Sequence, residues 1–313
     1  MSNKKMNFDL AIASNALLCP NPSEFYAKAY ITQAIVDNFR VIPGVKSSTK
    51  VATVNFPSVL KAETCDFTAN SDALSATTLS VCPLQAQVQI CKKDLESSYV
   101  SLEMAKGSMN WTVDGFMMNY WDVLSKEINS EIASIMWLGN TAGTGSTYTG
   151  SNAYRALCDG FEKKLLADAS VVDVTLTAST VSNVISNMEA VFAAAPAEVL
   201  SANKADLRLY VASDVFVKFQ IAASKGNTIS YVTELLGANF AGVRVTECPG
   251  MSAGKMVLTR RDNLIYLLDG ESDATDLKAI DLTQTTGQPL LRTAAYLKIG
   301  FGIINPSEIV YFN

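Results

Sequence analysis

The chain has 313 residues, 49% of them hydrophobic and 18% charged, with a formal net charge of −5 and no histidine. A chain of this size buries a full core, as one large or two modest domains, and its composition excludes a disordered protein. Without histidine, Ser-His-Asp, Cys-His and HExxH chemistry is impossible, and the absence of any basic block argues against tight binding of nucleic acid or anionic membrane through a basic face.

The opening MSNKKMNFDLAIASNALLC has the basic start of a signal peptide in Lys4 and Lys5. Asp9, Ser14 and Asn15 interrupt its apolar stretch, and Leu17-Leu18 precede Cys19 where a cleavage site needs small residues. No run reaches the ~18 apolar residues of a membrane span. The expectation is a cytoplasmic product that keeps its N-terminus. Residues 1–46 read as an arm. Pro20-Asn21-Pro22 breaks it, residues 25–39 form a short amphipathic helix with Tyr26, Tyr30, Ile31, Ala34 and Ile35 on one face, and Pro43-Gly44 ends it.

Between Lys50 and Leu95 the pattern turns to strands. Val51, Thr53 and Asn55 alternate with Ala52, Val54 and Phe56; Leu84, Ala86, Val88 and Ile90 alternate with Gln85, Gln87 and Gln89. The polar run between them, from Ala62 to Thr78, reads as the tip of one extended hairpin with little apolar mass. A two-stranded ribbon is marginal in water by itself, so it either folds back on its own domain or lies on a neighbouring subunit.

A long amphipathic helix is predicted from Val113 to Leu138, about 39 Å at 1.5 Å per residue. Val113, Phe116, Met117, Tyr120, Trp121, Leu124, Ile128, Ile132 and Ile135 fall on one stripe, with Asn119, Asp122, Lys126, Asn129 and Ser130 opposite. Thr112 is the expected cap and Gly139-Asn140 the expected left-handed stop. The Gly/Thr/Ser stretch 141–152 lacks phosphate-loop spacing and reads as surface loop, and Cys158-Asp159-Gly160-Phe161 turns into a short helix through Leu166.

Thr177 is then expected to cap a helix with Val181, Val184, Ile185, Met188, Val191 and Phe192 on one face, stopped by Pro196. A strand at Leu207–Val211, a helix at Val215–Ser224, a strand at Phe240–Glu247, a type II turn at Pro249-Gly250 and strands at Met256–Thr259 and Leu264–Leu268 follow. Asp269, Glu271, Asp273, Asp276 and Asp281 lack the EF-hand pattern and read as a solvated loop. Leu290–Ile304 is a long strand broken by Gly300 and Gly302, and Ile309–Phe312 a last short one. The six cysteines, Cys19, Cys65, Cys82, Cys91, Cys158 and Cys248, contain no CxxC pair. Free, mostly buried thiols in a reducing compartment are expected.

This mixed order is α+β, and it resembles the major capsid proteins of tailed bacteriophages, the Hong Kong 97-like fold. The most specific stretch is RTAAYLKIGFGIINPSEIVYF from Arg292: an Arg on a long strand, a Gly-containing apolar run, then Pro and the pair Ile309-Val310. The segment from Phe240 to Leu268, with CPGM and RRDNLIYLLD, is similar to the same proteins. The resemblance implies an N-terminal arm at 1–46 and an extended β-hairpin loop at 47–95. It implies a peripheral domain at 96–171 and 286–302 with a spine helix at 113–138, and an axial domain at 172–285 and 303–313. Lys61 lies in the hairpin where some relatives carry a cross-linking Lys, but Asn and Glu partners are not identifiable and no cross-link is inferred.

The function this implies is a major capsid protein that self-assembles into hexamers and pentamers of an icosahedral phage head. The shell encloses double-stranded DNA without sequence-specific binding, is assembled in a bacterial host cytoplasm and belongs to the virion. Its implied partners are further copies of itself, a separate scaffolding protein, a portal and decoration proteins, with no membrane. The alternative of similar physics is the encapsulin-like shell of a cellular nanocompartment. From other classes come a carboxylate enzyme using Asp262, Asp269 and Asp273, and a tail-tube or decoration protein, against which the long helix argues. No residue is assigned a catalytic, cofactor-binding or metal-ligating role.

Overall fold

In the computed structural model, residues 16–18, 25, 29, 37–55, 73–91, 114–143, 150–175, 177–201, 203–225, 239–269, 278–282 and 286–313 are described. The strands run β1 (Ala16–Leu18), β2 (Arg40–Ile42), β3 (Ser48–Asn55), β4 (Ala73–Ser80), β5 (Cys82–Cys91), β6 (Val172–Val174) and β7 (Leu207–Ala212). They continue as β8 (Asn239–Phe240), β9 (Val243–Cys248), β10 (Met256–Arg260), β11 (Leu264–Leu268), β12 (Lys278–Asp281), β13 (Leu290–Ile303) and β14 (Val310–Phe312). The helices are α1 (Asp114–Leu138), α2 (Phe161–Ala167), α3 (Val184–Ala193), α4 (Ala197–Ser201) and α5 (Ser213–Lys225). None of the described helices is long and apolar enough to cross a membrane.

The chain divides into two compact units. The smaller comprises Met1–Gln33, Pro83–Ile132 and Asp269–Ile299. In it β12 pairs antiparallel with β1 on one side (Ala16↔Ile280) and with β13 on the other (Ile280↔Arg292), and β5 also pairs with β13. Period-2 alternation shapes β5: Leu84, Ala86, Val88 and Ile90 are half-buried while Gln85, Gln87 and Gln89 are exposed. The part of α1 in this unit buries Trp121 and Ile128. Phe25 meets Trp121 edge-on at 5.5 Å, Tyr120 Oη donates to Thr293 Oγ1 at 2.9 Å, and Asn129 donates to the Ala29 carbonyl at 3.2 Å.

The larger unit comprises Ala34–Cys82, Ala133–Leu268 and Gly300–Asn313. Its six-stranded sheet has the order β6-β14-β10-β7-β9-β8. The neighbours β7 and β9 are parallel (Leu209↔Val245), β10 is antiparallel to β7 and β14, and β6 is parallel to β14. Phe240 of β8 meets Phe192 of α3 and Phe219 of α5 at 5.6 and 6.1 Å. Trp137, near the end of α1, sits among Phe39, Phe161 and Tyr210 with ring centroids 5.3–6.2 Å away. Apart from that sheet, β2 runs parallel to β11, and β3 pairs with β4.

Several expectations are corrected. The partner of β3 is β4, inside the run read as a polar tip, and β5 belongs to the sheet with β13. The Ala and Thr residues of β4 make a strand because cross-strand pairing outweighs a weak local pattern. Gly139 does not adopt a left-handed φ. It is small because a Cβ there would lie 2.3 Å from the Cys158 carbonyl oxygen. The cap of α3 is at Asn183, whose side-chain oxygen accepts the Thr180 N–H, not at Thr177. Ala241 (φ 52) and Gly242 (φ 82) split the strand expected at Phe240–Glu247 into a hairpin of β8 and β9. Thr112, Lys61 and the expected arm-helix face lie outside the described residues.

Candidate assembly site

The β3–β4 ribbon pairs eight residues with eight, from Ser48↔Ser80 to Asn55↔Ala73. Of its described side chains only Leu79 is buried. Leu79 joins Val45, Ile265 and Leu267, with Ile42, Val51, Val81 and Ile304 packed around them. Lys50, Ala52, Ala76, Thr78 and Ser80 are exposed. The ribbon therefore has a firm base and, beyond it, little apolar surface held by its own unit.

Four contacts fix that base. Val81 N–H donates to the Ser47 carbonyl at 3.0 Å, and Val45 N–H to the Leu268 carbonyl at 3.2 Å. A Cβ on Gly300 would lie 2.5 Å from the Ser80 carbonyl oxygen, and one on Gly302 would lie 2.6 Å from Leu79 Cδ2. Bare backbone at these two positions of β13 is what lets the ribbon approach. Both glycines lie within a continuous strand, so the expected break there is not found.

Next to the base, Cys82 and Cys158 form a disulfide. This corrects the expectation of free thiols at these two positions; Cys91 and Cys248 are free. Residues 76 apart in sequence give no spacing signal, because tertiary folding brings them together. Burial pushes the Cys248 thiol well above its ordinary value, with the Glu247 charge adding to the effect.

Beside the disulfide, α2 carries two ionisable groups, a buried Glu162 and a half-buried Lys164. Glu162 accepts from Ser252 N–H at 2.7 Å and from Ser252 Oγ at 2.5 Å. Burial raises its pKa in spite of those bonds. Lys164 donates to the Phe301 carbonyl, and burial lowers its pKa.

In the smaller unit a cleft of about 770 Å³ is lined by Gln87, Gln89, Ile280, Arg292, Thr293 and Tyr296, among others. Ile280 and Tyr296 remain 42% and 45% exposed, and Arg292 Nε donates to Gln89 Oε1 at 2.8 Å.

The carboxylates weighed for catalysis have other settings. Asp269 is 1% exposed and paired with Lys298 at 3.1 Å, so it is a buried ion-pair partner and not part of a solvated loop. Asp281 lies in β12. Asp262 is exposed beside Arg40, Asp206 and Arg260, and Asp273 lies outside the described residues. Among the described residues no group of three or more Cys, Asp or Glu could hold a metal ion.

No family model matches this chain, and no curated protein matches it. Solved structures do. A chain of the satellite phage P4 procapsid including size determination (Sid) protein is 10% identical, with 93% of this chain and 96% of that chain covered at a TM-score of 0.59. A chain of the capsid of Myoviridae phage XM1 is 14% identical over 89% and 90%, at 0.56. A virus-like particle from Pyrococcus furiosus is 10% identical over 93% and 96%, at 0.51. At these identities the likeness is one of fold. The chain has a mixed α+β fold that resembles the Hong Kong 97-like capsid proteins.

Proposed function

We propose that this chain is a structural protein that self-assembles into the hexamers and pentamers of an icosahedral phage head enclosing double-stranded DNA. The observation that carries the reading is the β3–β4 ribbon. It is anchored at Leu79, Gly300 and Gly302, and its described part beyond that base is largely exposed. Such a ribbon gains its stabilising contacts by lying on the next copy, through heterologous contacts that close into rings. The fold likeness to procapsid and capsid chains, which spans about nine-tenths of each chain, supports the same reading.

On this reading residues 1–46 are the arm and 47–95 hold the overlapping hairpin loop. The peripheral domain takes 96–171 and 286–302, with α1 as its spine. The axial domain takes 172–285 and 303–313, a division supported by the sheet from β6 to β14, whose strands all fall inside it. The partners are other copies, a scaffolding protein, a portal and decoration proteins. Assembly takes place in the host cytoplasm and the product is the virion shell.

A second reading, the shell of a cellular nanocompartment, is favoured by the likeness to the virus-like particle. Size-exclusion chromatography and negative-stain microscopy of the expressed chain test the shared claim. Closed particles are expected, and a well-behaved monomer at all concentrations contradicts it. Particles from the native source that hold DNA and carry a portal and tail select the phage head; particles that hold protein cargo select the compartment.

A further inference from the structure

The sequence has no basic block, yet the fold gathers one. In the larger unit β7 and β9 begin at the same end of the sheet, where β10 finishes. Their register places Arg208 of β7 directly beside Arg244 of β9, and Thr259 on the other side of Arg208, one residue before Arg260 and Arg261. Strands lie about 4.8 Å apart, so Arg244, Arg208 and the Arg260-Arg261 pair fall within roughly 10 Å. Like charges directly opposite on neighbouring strands are destabilising. A chain with net charge −5 holds them here with an ion pair to one of them, among the described residues. Arg260 pairs with Glu308 at 2.6 Å, whereas Arg244 and Arg261 are exposed and make no ion pair among the described residues.

The surroundings stay positive. Lys204 and Arg40 border the same end, and the carboxylates there are Asp206, Asp262 and Glu308. A cleft of about 270 Å³ opens beside them, lined by Arg40, Asp206, Arg260, Asp262 and Asn263 together with Ile304 and Asn305. Arg208 donates from Nη1 to the carbonyls of Ala205 and Leu207, while its Nε is buried without an acceptor among the described residues. A buried Nε–H with no acceptor, next to two guanidiniums that make no ion pair among the described residues, describes a surface short of anions.

We propose that this end of the sheet, through Arg208, Arg244 and Arg261, binds the phosphodiester backbone of nucleic acid. It rests on the shell reading, which supplies packaged DNA as the ligand. Charge density selects phosphate over carboxylate. Duplex DNA carries one negative charge per about 1.7 Å of axis. The most acidic stretch a second copy could offer, Glu271 to Asp276, spaces its carboxylates by about 7–10 Å in an extended chain. Three cations in so small an area suit the denser polyanion. The site is sequence-independent, because backbone contacts carry no base information.

The test measures binding of a fluorescent duplex of arbitrary sequence to the full-length chain as salt rises from about 50 to about 200 mM. Each lost phosphate contact flattens the logarithmic salt dependence by about 0.9. Arg244→Gln/Arg261→Gln should therefore flatten it by about 2, cutting the salt-induced loss of affinity by about tenfold. Arg244→Lys/Arg261→Lys should restore most of it, which separates lost charge from lost folding. An unchanged slope in the Gln variant overturns the proposal. So does competition by a peptide of residues 269–281 that exceeds competition by unlabelled duplex, since the site would then be a contact between copies. Microscopy of the same preparations scores the shell reading separately. Particles with an unchanged slope defeat the phosphate site alone, whereas absence of particles from the unsubstituted chain defeats the shell, and the slope then judges the arginines as a general polyanion site.

Discussion

Cys82, the first residue of β5, is bonded to Cys158, three residues before α2, across a sequence separation of 76. The bond ties the point where the chain leaves the β3–β4 ribbon to the loop that follows α1. Closing a loop restricts the unfolded chain, and a disulfide typically contributes about 2–4 kcal/mol. Cys82→Ala/Cys158→Ala should lower the denaturant midpoint accordingly, and a reductant should do the same to the unsubstituted chain only. Peptide mapping without reduction should recover the Cys82–Cys158 pair. Equal midpoints with and without reductant would remove the bond from the account.

Gly300 and Gly302 face the ribbon base in different ways, and the difference predicts an order. A methyl at Gly300 meets the Ser80 carbonyl, which is backbone, whereas one at Gly302 meets the Leu79 side chain, which can rotate. Gly300→Ala should therefore cost about 1–3 kcal/mol in thermal or chemical unfolding, and Gly302→Ala less. The reverse order would mean the ribbon does not approach β13 as described.

Trp137 is the largest fully buried side chain in the described structure, held by Phe39, Phe161 and Tyr210. Trp137→Ala should destabilise by about 3–5 kcal/mol, measured by denaturant unfolding of the unassembled chain. A loss below about 1 kcal/mol would show that the end of α1 is not part of the core.

Glu162 carries a pH signature. Its pKa is raised from 4.5 in the folded chain, chiefly by burial and against the two Ser252 hydrogen bonds. The folded state then binds more protons than the unfolded one above that value, so the stability linked to this group is greatest at low pH. It is lost as pH rises through the folded pKa. Glu162→Gln, which carries no proton to lose, should gain on the unsubstituted chain as pH rises from about 4 to about 7. Parallel stability curves over that range would show that the carboxyl is not buried as described.

What the sequence disclosed follows from how local each determinant is. The long helix was readable to within one residue at its start, because Trp121, Ile128, Ile132 and Ile135 recur at helical spacing and are all buried. Strands β7, β10, β11, β13 and β14 were readable from dense apolar or alternating runs. The register of the ribbon was not: apart from Leu74 and Leu79, β4 is built from Ala, Ser and Thr, and its partners lie 18 (Asn55↔Ala73) to 32 (Ser48↔Ser80) residues away. Short strands such as β6 and β12 escaped for the same reason, since three or four residues carry no period. Met136 and Trp137 lie off the predicted stripe and are buried because the end of α1 is enclosed on more than one side. The Gly-x-Gly of β13 was a signal read with the wrong meaning: close backbone approach, not a break. The Cys82–Cys158 bond and the arginine cluster are products of tertiary folding alone.

The central claim is that the ribbon earns its stability on a neighbouring copy. Its test replaces residues 56–72 with an Asn-Gly turn, which fits because Asn55 and Ala73 are register partners. Sedimentation and negative-stain microscopy then compare the shortened and full-length chains, with thermal unfolding run on both. The account predicts that the shortened chain folds, melts at the temperature of the unassembled full-length chain and forms no closed particles. Particles in undiminished yield and of unchanged size would contradict it.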